Sequence, residues 1–282
     1  MEFFSHTIFD FVFPNEMHVI WTVMIVLYPY ITGLVAGAFI ISSLYHVFER
    51  KELKGIARFS LVASMVFLCF ATLPLLVHLG RPERAFNIMI TPHFTSAMAG
   101  FGFIYLGYMS ILAIEVWFLF RGELVARANQ SMGLKKHVYS ALALFDLTLN
   151  EQTKAFDKKV INIFAAIGIP VACLLHGYVG FLFGSIKANP WWATPLMLPI
   201  FILSAIVSGI SVIIFMYFLV SFIQGFELNN KCLKTLSQFL WGFMIIDVSM
   251  ELLELLSISY QQTGEWEVLS YLITKKLWFP YL

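Results

Sequence analysis

Charge is scarce in this sequence. Of its 282 residues only 12% are Asp, Glu, Lys or Arg, while 60% are hydrophobic, and the apolar stretches run longer than a soluble core helix requires. That excludes an ordinary soluble globule and points to an all-α, polytopic transmembrane helical bundle. Cysteine is scarcer still. Cys69, Cys173 and Cys232 stand alone with no CxxC pairing, so neither an iron-sulfur cluster nor a zinc site is expected within the chain. Electrons that come through clusters must then be held by another subunit. The opening MEFFSHTIFDFVFPNE lacks basic residues and a small-residue cleavage site, and does not resemble a cleaved signal peptide. With a net charge of +1, no nucleic-acid partner is expected.

What the chain does have is aromatic and aliphatic length. Six spans are predicted, at Met17–Phe48, Ile56–Leu79, Ser96–Phe120, Val160–Ile186, Pro195–Ile223 and Leu236–Tyr260. The final YLITKKLWFPYL reads as the approach to a seventh span that continues past Leu282. Residues 1–282 form one integral membrane domain: spans one to three lie in 17–120, a loop in 121–159, spans four to six in 160–260, and an outward segment in 261–282. A short amphipathic helix lying on the membrane is expected in the 121–159 loop.

Lys and Arg orient the bundle. Thirteen fall on one side, in Arg50–Arg58, Arg121–Lys159 and Lys231–Lys234; five fall on the other, Arg81, Arg84, Lys187, Lys275 and Lys276. The positive-inside rule makes the thirteen cytoplasmic and puts the N-terminus outside. Asn15 and His18 then open span one, His78 ends span two, and His176 and Tyr178 approach the end of span four, all near the outward boundary. Their shared depth suggests a single outward-facing site.

Inside a bilayer such groups need a partner in a neighbouring helix or a ligand. Each histidine alone is explained by an interhelical hydrogen bond. Together they suit a quinol, which needs hydrogen-bond partners at both ring oxygens and a route for two protons; neutral imidazole both donates and accepts. Tyr178 adds a donor, and Phe181, Trp191 and Trp192 can flank the ring. Haem b is the competing ligand, with His78 and His176 as axial partners.

Asp247, Glu251 and Glu254 recur at offsets of four and three, so they share one face of span six. Each such charge near mid-membrane costs roughly 2.5–3.5 kcal/mol. With Glu115 in span three they are read either as a buried proton-conducting row or as structural hydrogen-bonding groups. A proton-coupled transporter without redox chemistry is the corresponding alternative. Gly33 and Gly37 form a GxxxG that lets helices approach closely. Arg81 or Arg84, in HLGRPER, acts as an interfacial anchor or orders the turn beside His78.

GLVAGAF in span one, HLGRPER after span two, HGYVGFLFGSIKANPWW at the end of span four and ILSAIVSG in span five together resemble the NrfD/PsrC-type membrane subunits of polysulfide-reductase-like complexes. The similarity runs from about Asn15 to span five. The resemblance implies a prokaryotic cytoplasmic-membrane protein that exchanges electrons with menaquinone or ubiquinone and binds no redox cofactor of its own. It also implies a ferredoxin-like iron-sulfur subunit as partner, with further catalytic or cytochrome subunits. By position Asn15 and His18 match the polar pair opening span one, and Tyr178 the tyrosine of the span-four motif. His78 stands where many relatives carry an acidic residue. His18, His78 and Tyr178 are accordingly the expected catalytic group, with Asn15, Arg81, His176 and Trp191 as further quinone contacts.

Overall fold

A computed structural model describes residues 22–93, 95–186, 192–262 and 264–276. The expectations for Asn15, His18 and Trp191 lie outside these residues. The described residues are helical almost throughout: α1 Val23–His46, α2 Lys54–Ala71, α3 Leu73–His78, α4 Asn87–Ile90, α5 Ala97–Gln130, α6 Gly133–Leu142, α7 Glu151–Gly184, α8 Met197–Gln224, α9 Asn230–Gln261 and α10 Gly264–Tyr271. A single π-helical turn, Leu272–Lys276, follows. Among the described residues five segments are long and apolar enough to cross a membrane: α1, the α2–α3 pair, α5, α7 and α8. Helix α9 stands where span six is predicted, has 32 residues and bears the three carboxylates.

Local chemistry sets the helix boundaries. Asn150 and Thr153 close a capping box, Asn150 Oδ1 accepting from Thr153 N at 2.8 Å and Thr153 Oγ1 from Asn150 N at 3.0 Å, which starts α7 at Glu151. Asn229 caps α9 by accepting from the backbone N–H of Lys231 and Cys232. Gly225, at φ +70°, ends α8. Predicted span two is two helices, because the chain turns at Thr72 just before Pro74. There the Thr72 N–H bonds the Phe70 carbonyl, and the Tyr105 hydroxyl donates to the Leu68 carbonyl at 2.5 Å. The predicted 121–159 loop is shorter than expected. Helix α5 continues to Gln130 and α7 begins at Glu151, leaving a connection that holds α6.

Helix α1 is the hub, packing against α2, α7 and α8. Its GxxxG does two jobs. At Gly37 it meets Gly209 of α8 so closely that a Cβ on Gly37 would lie 2.6 Å from the Gly209 Cα. At Gly33 it leaves room for the ring of His176, whose Cε1 would lie 3.2 Å from an added Cβ. Two apolar clusters follow, one between α1, α2, α5 and α7 around Phe39, Tyr108 and Leu175, the other between α1, α2, α8 and α9 around Ile41, Ile210 and Leu236.

One ion cluster fixes α5 to α7. Arg121 is 4% exposed; its Nη1 donates to both Asp157 oxygens at 3.0 and 2.9 Å, and its Nη2 to Asp146 at 2.6 Å. Thr148 donates through its N–H and hydroxyl to the other Asp146 oxygen. This clamp holds Leu144 and Phe145 in the left-handed region, at φ 53° and 60°.

Candidate functional site

Helix α7 presents different chemistry on its two sides, because residues two apart on an α-helix project about 200° from one another. His176 turns towards α1 and α8 and is 4% exposed. Its ring lies beside that of Phe201, 5.6 Å apart between centroids. Its Nδ1 has no hydrogen-bond partner. The ring borders a cavity of about 380 Å³ whose walls include Tyr30, Phe183, Trp192 and Phe201, with Ser204, Ser208 and Glu251 supplying polar atoms. Helix α9 thus brings a carboxylate to the same space as the unpartnered imidazole.

A second cavity of about 510 Å³ adjoins the first, sharing Trp192, Met197, Ile200 and Glu251. Glu254 enters this one, with Leu255 and Ile258 of α9, Leu269 of α10 and the π-turn residues Leu272 and Ile273. Glu254 Oε1 and Asp247 Oδ1 are buried without a hydrogen-bond partner, and Thr194 faces the Glu254 carboxyl.

Tyr178 occupies the other side of α7. Its hydroxyl donates to the Ala97 carbonyl at 2.7 Å, and its ring tip sits so close to Gly100 of α5 that no Cβ fits there. It borders a separate, largely apolar cavity of about 530 Å³ with Pro170, Cys173, Phe181, Leu198 and Ile202. His78 ends α3, where its Nδ1 hydrogen-bonds Thr22 Oγ1 at 3.2 Å; it borders none of the three cavities. Arg81 is exposed in the turn that Gly80 opens at φ +68°. Among the described candidates, then, His176 and Glu251 border one cavity, Glu254 borders the adjoining one, and Tyr178 and His78 stand apart.

Glu115 is fully buried in α5, and neither carboxyl oxygen has a partner. It does not border the α9 cavities. Sequence reading passed over further buried polar atoms without a partner, on Ser42 and His46 of α1, Ser60 of α2, Tyr108 of α5 and Asn162 of α7. Tyr108 faces Ser64. The same reading passed over Tyr30, Ser204 and Ser208, and the Arg121–Asp157 pair. Small polar residues in apolar helices are the signal that was available for the serines.

The family model described as "Polysulphide reductase, NrfD" matches residues 12–281. The chain belongs to the NrfD family. Like that family it is a helical, multi-pass membrane protein. This NrfD protein is similar to a selenate reductase subunit of Mesobacillus selenatarsenatis, at 34% identity over 84% of this chain and 56% of the relative. It is also similar to a putative dimethyl sulfoxide reductase membrane subunit of Halobacterium salinarum, at 27% identity over 81% and 50%. The Hdr-like menaquinol oxidoreductase integral membrane subunit of Archaeoglobus fulgidus is 24% identical over 77% and 47%. The chain spans about half the length of these curated relatives.

Proposed function

We propose that this NrfD protein is the quinone-reactive membrane subunit of a multisubunit respiratory oxidoreductase. Three relatives carry reductase or oxidoreductase subunit names, one of them a menaquinol oxidoreductase, which supports the reaction class. The observation that carries the reading is the α1–α7–α8–α9 cavity, where the unpartnered His176 Nδ1 and Glu251 border one aromatic-walled space of about 380 Å³. That is within the roughly 300–1,000 Å³ of small-molecule sites. A quinone ring fits such walls by stacking, and its oxygens need donors and acceptors that His176, Ser204, Ser208 and Glu251 offer.

Oxidation of a quinol releases two electrons and two protons. The electrons pass to a ferredoxin-like iron-sulfur subunit docked on the outer face, and onward to further catalytic or cytochrome subunits. Neutral His176 accepts one proton at Nδ1 and the Glu251 carboxylate accepts the other; Glu251 passes its proton to Glu254, and with Asp247 they form the exit row. Quinone reduction runs the same steps backwards. Glu115, away from the α9 cavities, belongs to a separate route towards the side that bears the thirteen cations. The N-terminus lies outside, on the side of the quinone cavity, in a prokaryotic cytoplasmic membrane.

A second placement of the ring, held by His18, His78 and Tyr178 with Asn15, Arg81 and Trp191, is favoured by the cavity beside Tyr178 and by the family likeness of that tyrosine. One experiment separates the two. The complex is purified with His176→Phe or with Tyr178→Phe, retention of every polypeptide is checked, and quinol-linked turnover is measured. We expect His176→Phe to lower turnover at least tenfold in an intact complex, and Tyr178→Phe to lower it less than threefold. The reverse order moves the ring to the Tyr178 side, and wild-type turnover in both variants overturns the quinone assignment.

A further inference from the structure

The far end of α5 carries a folded-back arm that quinone chemistry leaves without a role. The helix has 34 residues and so runs about 51 Å, against roughly 30 Å for a hydrocarbon core. Its last turns therefore stand beyond the bilayer interior, on the side that bears the thirteen cations. Trp117 lies about 30 Å from Ala97 along the axis, at the level where the hydrocarbon ends. Its Nε1 donates to the Leu142 carbonyl at 2.8 Å, which brings the C-terminal end of α6 back to that level. Arg127 lies over the Tyr139 ring, 6.0 Å from its centroid, and Ser140 and Ala143 are buried on the same side of the arm. The other side is apolar where a solvated helix would be polar. Leu134, Val138 and Leu142 recur every fourth residue there at 80%, 49% and 52% exposure, and Leu144 and Phe145 follow at 70% and 74%. The last two sit at positive φ, a costly backbone for bulky side chains, and the bonds of Arg121 and Thr148 to Asp146 hold it in place.

Charge says what covers this face. Every acid between 121 and 159 already has a cation of this chain: Glu123 pairs with Arg58, Glu151 with Lys154, and Asp146 and Asp157 with Arg121. Lys135, Lys136, Lys158 and Lys159 are exposed and have no ion-pair partner among the described residues. A cationic surface with an apolar row at headgroup depth is complementary to anionic lipid. We propose that α6 and the turn over 143–149 are a docking site for anionic phospholipid of the leaflet on that side. Lys135 and Lys136 take the headgroup phosphate, and Leu142, Leu144 and Phe145 seat against the first methylenes of the acyl chains. The clamp on Asp146 keeps those side chains exposed, so the site is formed before the lipid arrives.

The test uses the intact complex, stripped of its lipid in a neutral detergent and titrated with dioleoylphosphatidylglycerol or dioleoylphosphatidylcholine, with bound lipid counted by native mass spectrometry. The wild type is expected to bind the anionic lipid at least fivefold more tightly, with a preference that fades as salt rises. Lys135→Gln combined with Lys136→Gln is expected to shrink that preference at least threefold while quinol-linked turnover in detergent stays at the wild-type rate, which shows the assembly intact. Leu144→Ser combined with Phe145→Ser is expected to weaken both lipids at least threefold. Equal affinity of the wild type for the two lipids overturns the proposal, as does a preference that the lysine pair leaves unchanged. A soluble polypeptide that copurifies with the wild type and is lost from both variants, with the two lipids bound alike, assigns the face to a protein partner and overturns it equally.

Discussion

His176 and Tyr178 show how far a residue can be read without coordinates. Both were legible as polar groups that a bilayer cannot solvate, and both were assigned to one pouch by depth. Depth alone was insufficient: an offset of two residues turns the side chains to opposite sides of α7, one to α1 and α8, the other to α5. Glu251 was legible as part of an acidic row, but its place on the same cavity as His176 depends on α9 packing against α8, which no local pattern encodes. Gly33 was read as a packing glycine. It is also the floor under the His176 ring, so Gly33→Ala should press on Cε1 from 3.2 Å and raise the KM for quinol several-fold while the complex still assembles. A KM within twofold of wild type would remove Gly33 from the site. Glu115 offers a different test, because both its oxygens are buried and unpartnered, so a neutral isostere removes no hydrogen bond seen in the fold. We expect Glu115→Gln to keep thermal stability within about 1 kcal/mol and to slow quinol-driven proton movement in proteoliposomes. Unchanged proton movement would make Glu115 a structural group.

At the scale of elements, the caps and breaks were partly visible. Gly80 and Pro82 announced the exit from span two, and the structure has a positive φ at Gly80 followed by a 3₁₀ turn at Pro82–Arg84. The break at Thr72 was missed, because Pro74 lies in an otherwise continuous apolar run and that run reads as one helix. The α5–α7 clamp was missed too: Arg121 counted only as a positive-inside charge, and Asp157 sits 36 residues away in sequence, beyond any local pattern. Removing one partner of a buried ion pair strands the other, a loss of about 3–5 kcal/mol. Arg121→Met is expected to lower the apparent unfolding free energy in detergent by that order, and Arg121→Met combined with Asp157→Leu to recover most of it. No recovery would mean that the clamp acts through Asp146 alone. Thr148, through its hydroxyl and N–H, and Arg121 hold the exposed Asp146 carboxyl below its ordinary value of 3.8. A depressed carboxylate stabilises above the unfolded value and loses that contribution as pH falls through the folded one. Amide exchange in 143–150 should therefore be flat from pH 7 to about 4, after correction for intrinsic rates, and rise only below that. A rise centred between pH 5 and 6 would contradict this origin.

On the scale of the whole molecule, composition was enough for the fold class, since long apolar helices with few charges admit only a membrane bundle. The order of HLGRPER and HGYVGFLFGSIKANPWW was enough for the family, which the match over residues 12–281 bears out. The arrangement of the site was not legible, because cavities form where helices distant in sequence leave gaps: Tyr30 of α1 and Glu251 of α9 border one cavity from opposite ends of the chain. The most direct test of the central claim is a photoreactive azidoquinone bound to the intact complex, with crosslinked peptides located by mass spectrometry. The account expects labels on the α1, α8 and α9 peptides that carry Tyr30, Phe201 and Glu251, competed away by unlabelled quinone. Competable labelling confined to α5 and the Tyr178 side of α7, with none on α9, would contradict it.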